Sequence, residues 1–456
     1  MLRTEAFADS LLDELFPEEV KLLSDELRAV DLLLDNPAVL LAFRRHWETT
    51  ALHHGRPSLP MATFVRLMWI KQKTGWGYEA LMAQVSDSFQ LRRFCRIPLG
   101  EEAPDESTVR KLVRRLGSEV IDEATRAVIS EAMGHRGFRP RALRADSTVA
   151  QSDIRYPTDV GLCADAVRLL AKAARKVRGA VPDATRHVVN RSRAVQKRVR
   201  AIGRSLRRRT GEAKQVVQAL TEEAAAQVSS SLRESKKLLA EATASTATAE
   251  GVSEKARARA IATLEEWIGS SARVVDQIRM RFAGERIPDR LVSLFDTDAR
   301  PVRRGKLSAP TEFGYVVQLA EVTSSTKPRT PSLLLPPKLQ AGSTHENALL
   351  VDTVAELDTL GITLREASFD AGFTRIATEK ALPGLDRIFI AGSATNTGSK
   401  RTRRRLAKYR VGCEGRISHT KREYHAGRSR LRGIAGARIW ESWVAFRHDV
   451  DAVARM

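Results

Sequence analysis

Apolar residues recur at three- and four-residue spacing in Leu32–Phe43 and again in Phe64–Gln72, the period of a helix with one buried face. Asp105–Leu116 shows it most clearly. Val109, Leu112, Val113 and Leu116 form an i, i+3, i+4, i+7 stripe, and Asp105 or Ser107 can cap the start. The other face carries Arg110, Lys111, Arg114 and Arg115. Residues 1–135 therefore read as an all-α domain for DNA binding or dimerisation. Residues 141–149 and 313–320 alternate as strands do. Residues 346–360 turn helical, and ITLREASFDAGF (362–373) and RIFIAG (387–392) are strand-like again. Strands interleaved with helices predict an α/β fold.

The α/β region is split. Its pieces are 138–164 and 288–435, with a C-terminal helix over 436–456. Between the pieces, 165–287 is rich in Ala, Arg, Lys and Glu and nearly free of aromatics. It reads as an α-helical insertion of roughly three or four long helices, with breaks at Pro182, Gly203 and Thr243–Gly251. Its first half is strongly basic, ending in Arg207, Arg208 and Arg209.

Charge adds a partner. The 456 residues hold 76 Lys plus Arg against 55 Asp plus Glu, a formal +21. Such an excess favours a polyanion, and nucleic acid is the commonest large one. The three cysteines, Cys95, Cys163 and Cys413, are far apart and form no CxxC pair, which argues against a zinc ribbon or a disulfide framework. There is no signal-peptide pattern and no apolar run of membrane-spanning length. The expectation is a cytoplasmic protein with no membrane partner.

Three acids stand where an α/β core places its chemistry. Asp146 falls in the first strand, Asp370 ends a later strand before Ala371-Gly372, and Glu414 lies in a basic helical segment, 409–421. Phosphodiester cleavage develops negative charge on the attacking and leaving oxygens, and two divalent ions can stabilise both. Mg²⁺ takes oxygen ligands, so converging carboxylates suit it. On a helix, Arg410 at i−4 and Lys421 at i+7 share a face with Glu414. Glu423 is a rival, with His419 at i−4 and Arg430 at i+7, although Gly427 weakens a helix there.

Four blocks give the chain a family resemblance. They are residues 55–112, opening GRPSLPMATFVRLMWIKQKTGWGYEAL; LRADSTVAQSDIRYPTDVGL (143–162); DARPVRRGKLSAPTEFGYVVQLAE (298–321) with FDAGF (369–373); and YRVGCEGRISHTKREYHAGRSRLRGIAGARIW (409–440). In this order they resemble bacterial insertion-sequence transposases of the DDE class, and most nearly the ISNCY family. The resemblance implies an RNase H-like catalytic core, a mixed sheet flanked by helices, with the all-α N-terminal domain and the helical insertion attached to it. It implies catalysis and metal binding by Asp146, Asp370 and Glu414, with Mg²⁺ (Mn²⁺ as substitute) in two sites and no small-molecule cofactor. It also implies that Arg410 and Lys421 correspond to the basic partners in the Tyr-Arg-Glu-Lys signature of related transposases. The signature's tyrosine position is Ala407 here, and Tyr409 adjoins Arg410 instead.

The expected activity is metal-dependent cutting at insertion-sequence ends and transfer of the 3′-OH into target DNA, by a homodimer or larger assembly. Expected DNA contacts are Arg110, Lys111, Arg114, Arg115, Arg207, Arg208, Arg209, Arg410, Arg416 and Lys421. Trp267 is a candidate wedge for a distorted base step, with packing between helices the plainer reading. Trp440 and Trp443 read as core. Two other functions fit the same residues: a catalytically inactive DNA-binding relic or repressor, and a structure-specific nuclease with an RNase H-like core.

Overall fold

The computed structural model describes residues 1–3, 17, 19, 22–47, 54–208, 210–303, 310–342, 345–385 and 387–456. It is a mixed α/β protein, 57% helical, with a mixed sheet flanked by helices. It divides into two units, Met1–Asp153 with Val302–Met456, and Ile154–Pro301.

The first unit opens with helices. The apolar stripe over 32–43 is broken between α1 (Asp25–Leu34) and α2 (Pro37–Arg45). Asn36 caps the second through the Ala38 N–H, and Pro37 sits in its first turn, where a missing N–H costs nothing. Helix α3 (Met61–Thr74) is apolar over most of its surface and buried along nearly its whole length. Its Arg66 is fully buried and paired with Asp31 and Asp35. Next come α4 (Tyr78–Asp87), α5 (Phe89–Phe94), α6 (Glu106–Leu116) and α7 (Glu119–His135). Helix α6 buries Val109, Leu112, Val113 and Leu116, the predicted stripe, and Asp105 caps it by accepting the Ser107 N–H at 2.8 Å. Strand β1 (Ala142–Ser152) follows.

The second unit is helical: α8 (Asp159–Ala180), α9 (Ser192–Ser205), α10 (Gly211–Ala244) and α11 (Glu254–Phe282). It takes in residues 154–164 and 288–301, read from the sequence as parts of the α/β region, as well as the segment read as an insertion. Gly203 does not break a helix, since α9 runs through it to Ser205. The four helices share a core of small and branched residues, including Val167, Leu170, Ala174, Val228, Leu264 and Val274. Asp159 at the start of α8 pairs with Arg281 and Arg290. Arg191 pairs with Glu234 and Arg198 with Glu223, tying the entry and first half of α9 to α10. Trp267 packs edge-on against Phe295, ring centroids 6.4 Å apart. It is a packing residue, not an exposed wedge.

Strand β2 (Arg300–Arg303) closes the second unit and reopens the first. Then come β3 (Thr311–Thr323), β4 (Ser332–Leu334), β5 (Lys338–Ala341), α12 (Asn347–Thr359), β6 (Glu366–Phe369), α13 (Arg375–Ala381), β7 (Arg387–Ile390), α14 (Lys400–Glu423), β8 (Arg428–Ser429) and α15 (Gly433–Ala454). The sheet order is β2-β3-β1-β6-β7, with β4 and β5 on β3 and β8 on β1. Strand β1 is antiparallel to β3 from Ala142↔Thr323 to Gln151↔Gly314, and parallel to β6 from Ala142↔Glu366 to Ala145↔Phe369. At Gly314 any Cβ would run into the Ala150 carbonyl, so only glycine lets the ladder close there. Helix α15 is buried along most of its length, with Trp440, Trp443 and Phe446 inside. Its Asp451 accepts from Trp69 Nε1 at 2.9 Å, and its Arg447 donates to the Gln72 carbonyl at 2.8 Å. The N-terminal helices, the sheet and α15 share one continuous core. Among the described residues no helix is long and apolar enough to cross a membrane.

Candidate active site

Strand β1 alternates its side chains between two faces. Arg144 and Asp146 therefore share a face, and Arg144 shows which one. Its Nη1 donates to the Tyr409 carbonyl of α14 at 3.0 Å. Helix α14 lies so close here that a Cβ on Gly412 would overlap Arg144 Nη1. Asp146 is thus on the α14 side of the sheet, buried, with Oδ1 accepting the Ser147 N–H at 2.7 Å. The register Ala145↔Phe369 brings Asp370, the next residue of the second chain segment, level with Asp146 on the neighbouring strand. Adjacent strands run about 4.8 Å apart. Asp370 follows the last residue of β6, beyond a strand end of the kind at which open sheets place ligands, and Asp146 stands where the β1–β6 pairing stops, although β1 runs on to Ser152.

Glu414 joins them through Arg410, one turn earlier on α14. Arg410 Nη1 donates to Asp370 Oδ1 at 3.2 Å, and its Nη2 pairs with Glu414 Oε1. Burial works against the Arg410 charge, but Glu414, Asp370 and Asp146 together outweigh it and hold its pKa above the ordinary value. One guanidinium thus feels all three acids. Asp370 and Glu414 are partly exposed and Asp146 is buried. Among the described residues no three His, Cys, Asp or Glu side chains are grouped closely enough to hold one metal ion.

A second ion network, centred on a buried carboxylate, fixes α14 to the sheet. Glu321 on β3 is 1% exposed and stands opposite Arg144 in the ladder. Its Oε2 accepts from Arg144 Nε at 2.6 Å and its Oε1 from Arg416 Nε at 2.8 Å. Burial would raise the Glu321 pKa, but Arg416 and Arg144 prevail and hold it below the ordinary range. Arg416 also donates to Ser332 Oγ at 2.8 Å. Arg416, expected to contact DNA, is engaged in this tie, because Glu321 would otherwise be a lone buried charge. Tyr409 is likewise committed. Its hydroxyl shares a 2.7 Å hydrogen bond with Thr323 Oγ1, and Arg144 lies over its ring. Cys413 is buried, and burial followed by the nearby Asp146 carboxylate pushes its thiol well up, so it is no nucleophile.

Lys421 lies near the end of α14 on the Glu414 face, within charge reach of the buried Glu441 on α15. The rival Glu423 is the last residue of α14, so Arg430 lies beyond the helix and the i+7 spacing has no common face.

The remaining predicted contacts lie elsewhere. Arg110, Lys111, Arg114 and Arg115 are exposed on α6. Arg110 pairs with Glu106 at 3.4 Å and Arg115 stacks over Trp47 at 4.0 Å, while Lys111 and Arg114 have no ion pair among the described residues. In the second unit, Arg193, Lys197, Arg200 and Arg204 form an exposed stripe along α9, and Arg207 and Arg208 follow it, also exposed. Arg209 lies outside the described residues.

The sequence reading passed over Arg144, Glu321 and Tyr409 as a unit. A signal existed: Glu321 is a carboxylate inside the apolar run VVQLAEV, which demands a cationic partner. The register that pairs it with Arg144 is not written in either segment.

Residues 12–115 match a family model described as Transposase domain (DUF772). The match ends within α6, before α7 and β1, so it covers none of the three acids. No curated protein and no solved structure matches the chain. The transposase-domain match supports a transposase family and, with it, a DNA-processing enzyme.

Proposed function

We propose that this chain is a DDE-type DNA transposase that cuts DNA at insertion-sequence ends and transfers the resulting 3′-OH into target DNA, acting on double-stranded DNA as a dimer or larger assembly. One observation carries the reading. Acids from three distant segments, at 146, 370 and 414, surround the single guanidinium of Arg410 where the β1–β6 pairing stops. A central strand antiparallel to one neighbour and parallel to the other also agrees with an RNase H-like core.

Asp146, Asp370 and Glu414 would hold Mg²⁺ or Mn²⁺. All are hard oxygen donors, and Cys413, the nearest thiol, is protonated and buried. When bound, the metal supplies stabilisation of the charge that develops on the attacking and leaving oxygens. Arg410, with five donors in a rigid fork, is placed to pass from the carboxylates to a phosphate of the DNA end. Lys421 adds charge on the same face. The Glu321 network keeps Glu414 at the right height on the sheet, the kind of support that positioned groups need. The α6 cations would meet the terminal repeat, and the α9 stripe would add contacts to phosphates without regard to sequence.

Asp146→Asn tests the proposal. The variant should lose metal-dependent nicking of a labelled end duplex and retain end binding. Nicking at the wild-type rate would overturn the assignment. Binding without catalysis, as in a repressor, is favoured by one observation: the three acids are not gathered at metal-holding distances. Footprinting by the wild-type chain with no nicking in Mg²⁺ or Mn²⁺ would decide for it.

A further inference from the structure

An unexplained feature of the first unit is a cavity of about 1160 Å³ on the other flank of α14. Lys327, Pro328 and Arg329 of the β3–β4 turn line it, with Lys400, Arg401, Arg404, Arg405 and Lys408 of α14, and Arg144 in its floor. Arg144 and Arg405 are committed, to Glu321 and Glu366 respectively. The other six cations, Lys327, Arg329, Lys400, Arg401, Arg404 and Lys408, are exposed and make no ion pair among the described residues.

This site is not the carboxylate site. Arg401, Arg404 and Lys408 lie roughly 80–140° around the helix from Glu414 and about 9–20 Å back along its axis. The cations also repel one another, since Lys400/Arg404 and Arg404/Lys408 are like pairs four residues apart. Among the described residues no acid lines the cavity to offset that repulsion, which an anion would relieve.

We propose that this cavity seats the phosphate backbone of a DNA duplex segment separate from the one being cut. Lys400 to Lys408 span about 12 Å of helix, a length over which one strand of a duplex advances by roughly three to four phosphates, at about 3.4 Å of axial rise each. A small anion would need only two or three converging cations, whereas these are spread over both walls. The lining's aromatic residue, Tyr409, is buried under Arg144. It offers no platform for base stacking, so a single strand is disfavoured and binding is indifferent to sequence. A protein that joins one DNA to another must hold two duplexes, and in that sense the inference rests on the transposase reading.

The test is duplex binding by the full chain, with EDTA present, across 50–200 mM salt. The variant carries Lys327→Gln, Arg329→Gln, Arg404→Gln and Lys408→Gln together. With four phosphate-neutralising charges removed, the salt slope should fall by about 3.6, so wild type should lose about 150-fold more affinity than the variant over that range. A charge-retaining variant, Lys327→Arg, Arg329→Lys, Arg404→Lys, Lys408→Arg, should keep the wild-type slope, which separates charge from folding. An unchanged slope in the Gln variant overturns the inference alone. Equal protection of the cavity by tripolyphosphate and by duplex would mark a small-anion pocket and also overturn it. If the wild-type chain binds no duplex at all, the transposase reading itself fails.

Discussion

Removing Glu321 should do more damage than the loss of a single strand side chain suggests. The carboxylate is 1% exposed and bridges Arg144 at 2.6 Å and Arg416 at 2.8 Å. Glu321→Ala would leave both guanidiniums without their counter-charge, 14% and 21% exposed. Breaking a buried pair in this way costs about 3–5 kcal/mol. With a urea m-value of about 3 kcal/mol/M, the midpoint should fall by roughly 1–1.7 M. Tryptophan fluorescence is a suitable reporter, because only Trp267 of the six tryptophans lies in the second unit. Replacing all three charges with apolar residues of similar size should cost much less than the single change, since no buried charge is then stranded. The pH dependence has a definite sign. Arg416 and Arg144 lower the Glu321 pKa against the pull of burial. Its contribution is therefore complete above the ordinary carboxylate range and disappears as pH falls through the lowered folded-state value. The gap between wild type and variant should narrow in acid. A midpoint shift below ~0.3 M, or about 1 kcal/mol, would refute the claim that this network holds α14 to the sheet.

Tyr409→Phe should cost about 0.5–1.5 kcal/mol, the worth of its buried bond to Thr323, and leave the cleavage rate unchanged. A large rate loss at unaltered stability would give the hydroxyl a chemical role. Burial, opposed by Lys421, pushes Glu441 up to about 8 from an ordinary 4.5. Its protonated form stabilises the fold, an effect complete below pH 4.5 and lost as pH rises through about 8. Glu441→Gln should therefore flatten the fall in melting temperature between pH 5 and 8, and parallel curves for the two proteins would contradict this. On α9, Arg193, Lys197, Arg200 and Arg204 changed together to Gln should lower the salt slope of DNA binding by up to about 3.6. Charge neutralisation is the cleaner test, because excising 168–286 would cut through α8 and strand half of a shared core. An unchanged slope would remove the stripe from the DNA-binding surface.

Local pattern determined much of this protein. The α6 stripe and its Asp105 cap, the strands near 145, 315, 367 and 388, the helix at 347–359 and the helical character of 165–287 all follow from periodicity and capping, which act over one or two turns. The break at Asn36-Pro37 was equally local, and the stripe across it concealed it. The acids at 146, 370 and 414 could be named from residue type and position. Their meeting could not, because it depends on the parallel register Ala145↔Phe369 and on how closely α14 crosses β1 at Gly412. Arg416 shows the same limit. On the helix it looks like one more cation for phosphate, and only the fold presents it to a buried carboxylate on β3. Helix α15 reads as a C-terminal helix with its tryptophans in a core, and only the fold shows that it packs with elements from both ends of the chain. Local sequence sets which elements form, because backbone and side-chain preferences act at short range. Which charges become partners is decided by packing, because desolvation makes each buried ion depend on whatever the tertiary structure places beside it.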